Sequence, residues 1–210
     1  MTIKTIVWDI DGVLIWHHPT DPSKDWREKL MHSDVLGLWE AFQNSPGWQL
    51  CLRDKNVNTR MRFQHYLQGN NMTVHEDTNH IIDIWLSDNV MPNKLAIKRL
   101  REFQDQGYQC VLGTNQDGLR KPYIERWLDA QGLGTLPLYM SCDMGCAKPD
   151  SAFYARIEED LGCASDEIIL LDDTLKNIEG AKAKGWSAIH IADAYKTDSA
   201  HWGSISLETL

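Results

Sequence analysis

The spacing of apolar residues along the chain predicts short buried strands that alternate with helices. Apolar and β-branched residues dominate from Ile3 to Trp8 and give way to Asp9, as expected of a strand that is buried on both faces. Four later segments have the same character, and they cover residues 108–114, 136–141, 168–171 and 187–191. The first three of these also end in polar or acidic residues.

Segments whose apolar residues recur with helical periodicity lie between these strands. Phe153, Ile157 and Leu161 recur every four residues, with Asp150 in the position of an N-cap and Gly162 where a helix should end. Strands that alternate with helices of this length form βαβ units. The sequence therefore predicts an α/β fold, with a Rossmann-like parallel core of three α/β/α layers.

The segment 16–91 breaks this alternation. It is dense in Trp, His, Asn and charged residues, contains no convincing strand, and has several weakly amphipathic helical stretches. A segment of this length without structure of its own is uncommon, so we expect a small α-helical cap domain inserted after the first strand. The predicted division is a core of residues 1–15 and 92–210 and a cap of residues 16–91. Most tryptophans of the insertion should form its own core, with one or two lining a pocket.

Composition narrows the class of protein further. The 210 residues carry a formal net charge of −9, which is the wrong sign for a general nucleic-acid binder or for an anionic membrane surface. Five cysteines without a CxxC pair do not indicate a disulfide framework. No apolar stretch is long enough to cross a bilayer, and no leader or lipidation motif is expected. We therefore expect a cytoplasmic protein and make no prediction of its oligomeric state.

Candidate chemistry lies at the carboxyl ends of the predicted strands, where open parallel sheets bind their ligands. Asp9 and Asp11 follow the first strand, and Thr114 and Asn115 follow the next. The third strand leads to the turn that contains Lys148, and the fourth to the pair Asp172 and Asp173. Four strand ends thus bring carboxylates, a hydroxyl and a lysine to one edge of the sheet.

Four segments in this order resemble the motifs of the haloacid dehalogenase superfamily. They are DIDGV at residues 9–13, GTN at 113–115, GCAKPD at 145–150 and LLDDTLKN at 170–177. The resemblance covers the core, at about residues 1–15 and 92–191, and the insertion point is similar to that of the superfamily's helical C1 cap. It implies a phosphatase of this superfamily as the leading expectation.

The residue types fit that chemistry. The carboxylate of Asp9 can attack phosphorus and form an aspartyl-phosphate, and Asp11 can donate and then accept a proton. Asp9 and Asp173 offer the hard oxygen ligands that Mg²⁺ prefers, and Asn177 could orient the waters of the metal. Lys148 would offset the charge of the phosphoryl oxygens.

Other roles rest on the resemblance or on position alone. The resemblance adds the backbone carbonyl of Asp11 as a metal ligand and gives Asp172 a supporting role, leaving open which of Asp172 and Asp173 binds the metal directly. Thr114 and Asn115 are expected to bind substrate beside Lys148. His17 and His18 follow the first motif and either touch substrate or are solvated loop residues.

The expected activity is Mg²⁺-dependent hydrolysis of a small phosphorylated metabolite, with sugar phosphates favoured over nucleotides and short phosphorylated acids. A phosphomutase similar to β-phosphoglucomutase and a 2-haloacid dehalogenase are the alternatives. A dehalogenase attacks carbon and needs neither a metal nor a proton donor at Asp11, so Asp11 and the Asp172–Asp173 pair argue against it. A mutase would need an acid or base from the cap, and no cap residue stands out as one.

Overall fold

A parallel sheet of five strands forms the centre of the computed structural model, which describes residues 2–16, 35–72, 77–88, 91–192, 199–205 and 207. Strand β1 (Thr5–Trp8) lies in the middle, between β4 (Gln109–Thr114) and β6 (Ile168–Asp172). The edges are β5 (Leu138–Met140) beside β4 and β7 (Ser187–His190) beside β6. All four pairings are parallel, as the sequence predicts.

Helices connect these strands and cover both faces of the sheet. The helices of the core are α5 (Lys94–Asp105), α6 (Lys121–Ala130), α7 (Ser141–Met144), α8 (Ser151–Leu161), α9 (Leu175–Lys184) and α10 (Ser199–Ser204), with a 3₁₀ turn at Ser165–Glu167. Ile6 and Trp8 of β1 pack in the cluster that includes α5 and α6, whereas Val7 packs with α8 and α9. Because side chains alternate along a strand, β1 contributes to both layers of the core. This arrangement confirms the predicted α/β fold.

Among the described residues, four helices lie between β2 (Ile15–Trp16) and β3 (Met91–Pro92), a short antiparallel pair at the base of the insertion. They are α1 (Val35–Gln43), α2 (Pro46–Cys51), α3 (Thr59–Gly69) and α4 (Thr78–Asp88). We call these the insertion helices. They share a cluster of buried aromatic side chains that includes Trp39, Phe42, Trp48, Phe63 and Trp85. The domain boundaries placed at 15/16 and 91/92 stay predictions.

The structure extends the sequence analysis at two places. Helix α2 was not anticipated, because its six residues are too short to show helical periodicity; Ser45 caps it, accepting a hydrogen bond from the backbone N–H of Trp48. The carboxyl-terminal segment packs on the core. There, the ring of Trp202 in α10 stacks on Trp8, with 6.0 Å between the ring centroids.

The described helices include none that is both long enough and apolar enough to span a bilayer.

Candidate active site

Asp9 lies at the carboxyl end of the central strand, with a side chain that is almost fully enclosed. It follows β1 directly, and its backbone N–H donates to the carbonyl of Leu171 in the neighbouring strand at 2.9 Å. The residue is 6% exposed. Its Oδ1 accepts a hydrogen bond from the backbone N–H of Ile10 at 2.8 Å, which fixes the orientation of the carboxylate.

Lys148 brings a buried positive charge to the same place. Its Nζ lies 3.0 Å from Oδ1 of Asp9 and 2.6 Å from Oδ2 of Asp172, and it donates to the carbonyl of Gly113 at 2.8 Å. An ammonium group has three protons to donate, so these three acceptors satisfy it. Lys148 therefore links the ends of β1, β4 and β6.

The electrostatics of this cluster follow from burial and from crowding of like charges. Burial raises the pKa of Asp9 well above its ordinary value; the nearby Asp172 raises it further, and Lys148 lowers it. Burial also disfavours the charged form of Lys148, but Asp172 and Asp9 outweigh this effect and raise the pKa of the lysine. A further cation beside Asp9 would favour its ionised form, which is the form that can act as a nucleophile.

Asp172, the last residue of β6, is fully buried and held by several donors. Besides Lys148, the backbone N–H of Thr174 donates to Oδ1 at 2.8 Å, and Nδ2 of Asn177 lies 3.0 Å from Oδ1. Asn177 is buried in the first turns of α9. The sequence predicts that Asn177 orients the waters of a metal ion; in the structure its amide bonds directly to Asp172, and the role toward the metal stays a prediction.

Asp173 is partly exposed and lies against the turn after β1. Its Oδ2 would be 1.8 Å from a Cβ placed on Gly12, whose φ of +78° also favours glycine. The backbone carbonyl of Asp173 lies 2.9 Å from Nε2 of His190. The glycine of the first motif therefore leaves the space that the carboxylate of the last motif occupies.

Three of these carboxylates form a potential cation site. Among the described residues, Asp9, Asp172 and Asp173 each offer an oxygen, and these oxygens lie within 4.8 Å of one another. Oxygen donors of this kind fit Mg²⁺. Because Asp172 already accepts hydrogen bonds from Lys148 and Asn177, Asp9 and Asp173 are the better candidates for direct ligands.

Asp11 is held by a group that the sequence analysis did not single out. Nη1 of Arg120 donates to its Oδ2 at 2.6 Å, and Nη2 donates to Oδ1 at 2.7 Å. Nε2 of Gln116 donates to the same carboxylate. Both residues follow the GTN motif, but nothing local in the sequence pairs them with a carboxylate about a hundred positions away.

Thr114 and Asn115, predicted to bind substrate, have partners within the site. The side chain of Asn115 donates to the backbone carbonyl of Lys148 and accepts from its N–H, both at 2.9 Å. The hydroxyl of Thr114 is buried and accepts a hydrogen bond from Gln116 at 3.2 Å. Asn115 thus fixes the backbone of the lysine turn, and a direct role for either residue in binding substrate stays a prediction.

The insertion helices contact the loop between β4 and α6. Thr59, at the start of α3, donates its hydroxyl proton to Oδ1 of Asp117 at 2.7 Å, and the Trp85 ring of α4 lies 5.2 Å from the guanidinium carbon of Arg120. Burial raises the pKa of Asp117. His17 and His18 lie outside the described residues.

Comparison with known proteins agrees with this geometry. The sequence model of the haloacid dehalogenase-like hydrolases matches residues 3–185. The chain belongs to this family. The predicted superfamily membership is therefore confirmed.

Solved structures of other family members share the fold of this hydrolase. A family enzyme from Bacteroides thetaiotaomicron, in complex with magnesium and inorganic phosphate, is 20% identical with a TM-score of 0.64, covering 90% of this chain and 93% of that one. A predicted family hydrolase from Porphyromonas gingivalis is 17% identical with a TM-score of 0.63, covering 90% and 91%. The L-2-haloacid dehalogenase from Xanthobacter autotrophicus, with chloropropionic acid covalently bound, is 20% identical with a TM-score of 0.61, covering 90% and 77%.

Proposed function

We propose that this hydrolase is a Mg²⁺-dependent phosphomonoesterase that acts on a small phosphorylated metabolite through an aspartyl-phosphate. The observation that carries the proposal is the pairing of Asp9 with the buried ammonium of Lys148, 3.0 Å away, beside the carboxylate of Asp173. A nucleophilic carboxylate that meets a phosphate dianion needs positive charge on both sides of the reacting atoms. Lys148 supplies one such charge, and the carboxylates of Asp9 and Asp173 would hold the Mg²⁺ that supplies the other.

Each side chain has a role in the two chemical steps. Asp9 attacks phosphorus and breaks the bond to the leaving oxygen, which takes a proton from Asp11. Water then attacks the aspartyl-phosphate and gives its proton to Asp11, and the carboxylate of Asp9 is regenerated. Lys148, with Thr114 beside it, offsets the charge of the phosphoryl oxygens. Asp9, Asp173 and the backbone carbonyl of Asp11 would hold Mg²⁺, with Asp172 in support; the bound ion supplies charge neutralisation between nucleophile and phosphate.

The proposed substrate class depends on the predicted role of the insertion helices as a cap. A cap that covers the carboxyl edge of the sheet favours small esters over macromolecules, and sugar phosphates remain the first candidates. The magnesium and phosphate in the Bacteroides thetaiotaomicron enzyme support this proposal. Because one structural neighbour is an L-2-haloacid dehalogenase, carbon–halogen hydrolysis is the competing activity.

The test is phosphate release from sugar phosphates, nucleotides and short phosphorylated acids, with Mg²⁺ or with EDTA. Asp9→Asn is the inactive control, and release of halide from 2-chloropropionate is measured in parallel. We expect Mg²⁺-dependent phosphate release that the variant loses. Metal-independent halide release without phosphate release would contradict the proposal and favour a dehalogenase.

A further inference from the structure

Arg120 is a buried cation that pairs with Asp11, the proposed acid and base. It occupies the N-cap position of α6 and is 3% exposed. Its two terminal nitrogens each contact a different oxygen of Asp11, at 2.6 and 2.7 Å. Such a two-pronged contact fixes the plane of the carboxylate as well as its position.

The guanidinium is itself held from two sides. Nη1 also donates to Oε1 of Gln116 at 3.3 Å, while Nε2 of Gln116 donates to Asp11. The guanidinium carbon lies 5.2 Å from the ring centroid of Trp85, within the range of a cation–π contact. Arg120 therefore connects Asp11 to the loop after β4 and to an insertion helix.

We propose that Arg120 is a positioning residue that acts through Asp11, so that its contribution to catalysis exists only while that carboxylate is present. This inference rests on the proposed phosphatase function. The guanidinium binds Asp11 as a carboxylate, which is the form that accepts the proton of the attacking water in the second step. That proton transfer depends steeply on the distance and direction between the carboxylate and the reacting oxygen. Because both terminal nitrogens of Arg120 are directed at Asp11, the geometry favours orientation of Asp11 over direct binding of the phosphoryl group.

A double-mutant cycle tests this dependence. The variants are Arg120→Gln, Asp11→Asn and the combination of both, assayed with para-nitrophenyl phosphate and Mg²⁺. This ester has a good leaving group, so turnover by Asp11→Asn should remain measurable. We expect Arg120→Gln alone to lower kcat about 10- to 100-fold with KM changed by less than about 3-fold. In the Asp11→Asn background it should lower kcat by no more than about 2-fold, since the group it orients is gone.

Two further variants separate positioning from loss of structure. Arg120→Lys keeps the charge without the planar two-pronged contact and should recover part of the kcat, and it replaces Arg120→Gln if that variant fails to fold. Arg126→Gln changes another arginine of α6, one that lies over the Tyr123 ring, and should keep wild-type kcat. Thermal unfolding of all variants monitors the fold.

The outcomes are distinct. Losses that multiply in the double variant, or a loss confined to KM, would overturn the positioning role while leaving the phosphatase intact. An increase in KM only for esters that carry a second anionic group would assign Arg120 to the substrate instead. A wild-type protein without phosphatase activity on any ester would overturn the proposed function, and this inference with it.

Discussion

The two loops that flank the central strand build the site in different ways. At the end of β6, Asp172 is fully buried and pairs with Lys148, whereas the adjacent Asp173 is partly exposed and lies against Gly12. After β4, residues 115–120 contact the lysine turn, Asp11 and two insertion helices. The acidic pair at the end of β6 is recognisable in a short sequence motif, whereas residues 115–120 contact residues that are distant in the sequence.

This difference shows why neighbouring polar residues at a strand end need not share a function. Asp172 is enclosed, and its charge is offset by protein donors, so its removal should act mainly on folding. Asp173 is partly exposed and belongs to the group of carboxylates that could hold a cation, so its removal should act mainly on the binding of a cation.

The largest expected effect is on stability at Asp172. Asp172→Asn removes the charge that faces the ammonium of Lys148 at 2.6 Å and leaves that cation inside the protein with only Asp9 as an ionic partner. Breaking a buried ion pair costs about 3–5 kcal/mol of unfolding free energy. Urea denaturation without metal measures the cost. An unchanged midpoint would show that this pair does not stabilise the fold.

For Asp173→Asn we expect a smaller change in free energy than for Asp172→Asn, and we expect it in the binding of Mg²⁺ and not in folding. Asp173→Asn should raise the Mg²⁺ concentration for half-maximal activity about 10- to 100-fold, since a charged ligand becomes neutral, and should change the unfolding free energy by less than about 1 kcal/mol. Asp166→Asn, at an exposed position before β6, is the control. If Asp173→Asn destabilises the protein as much as Asp172→Asn does, the proposed division between the two residues is wrong.

The smallest effect concerns the loop after β4 and depends on pH. Burial raises the pKa of Asp117, so the folded state holds its proton at pH values where the unfolded state has released it. The contribution of Asp117 to stability is therefore largest below its ordinary pKa and decreases as the pH rises through the raised value. Relative to Asp117→Asn, the wild type should lose stability as the pH rises above about 4, the ordinary pKa of an aspartate, until it passes the raised pKa.

Urea denaturation across this pH range measures that trend. Asp105→Asn, at an exposed helix end, should show no such dependence. If the difference between wild type and Asp117→Asn stays constant with pH, Asp117 does not titrate abnormally on folding.

The sequence predicted the fold and the main acidic cluster because their signals are local. The strand of residues 168–171 is a run of apolar residues, and the acidic pair follows it at once. The parallel arrangement then brings Asp9, Lys148 and Asp173 to one edge, because all carboxyl ends of a parallel sheet lie together.

The rest depends on tertiary packing that no local pattern reveals. The contact of Arg120 with Asp11 joins residues 109 positions apart, and Thr59 meets Asp117 across 58 positions. Asn115 fits a strand-end motif, yet its amide bonds to the backbone of the lysine turn. Asp172 and Asp173 could not be distinguished from their local sequence, because their difference arises from how deeply each side chain is buried.

Covalent labelling of Asp9 tests the central claim most directly. The protein is mixed with Mg²⁺ and a phosphoryl-labelled ester, quenched in acid during turnover and digested. Asp11→Asn is included because hydrolysis of the intermediate should be slower there. We expect label on the peptide that contains Asp9 and none in Asp9→Asn. Release of phosphate with no labelled peptide, even in Asp11→Asn, would contradict the aspartyl-phosphate mechanism.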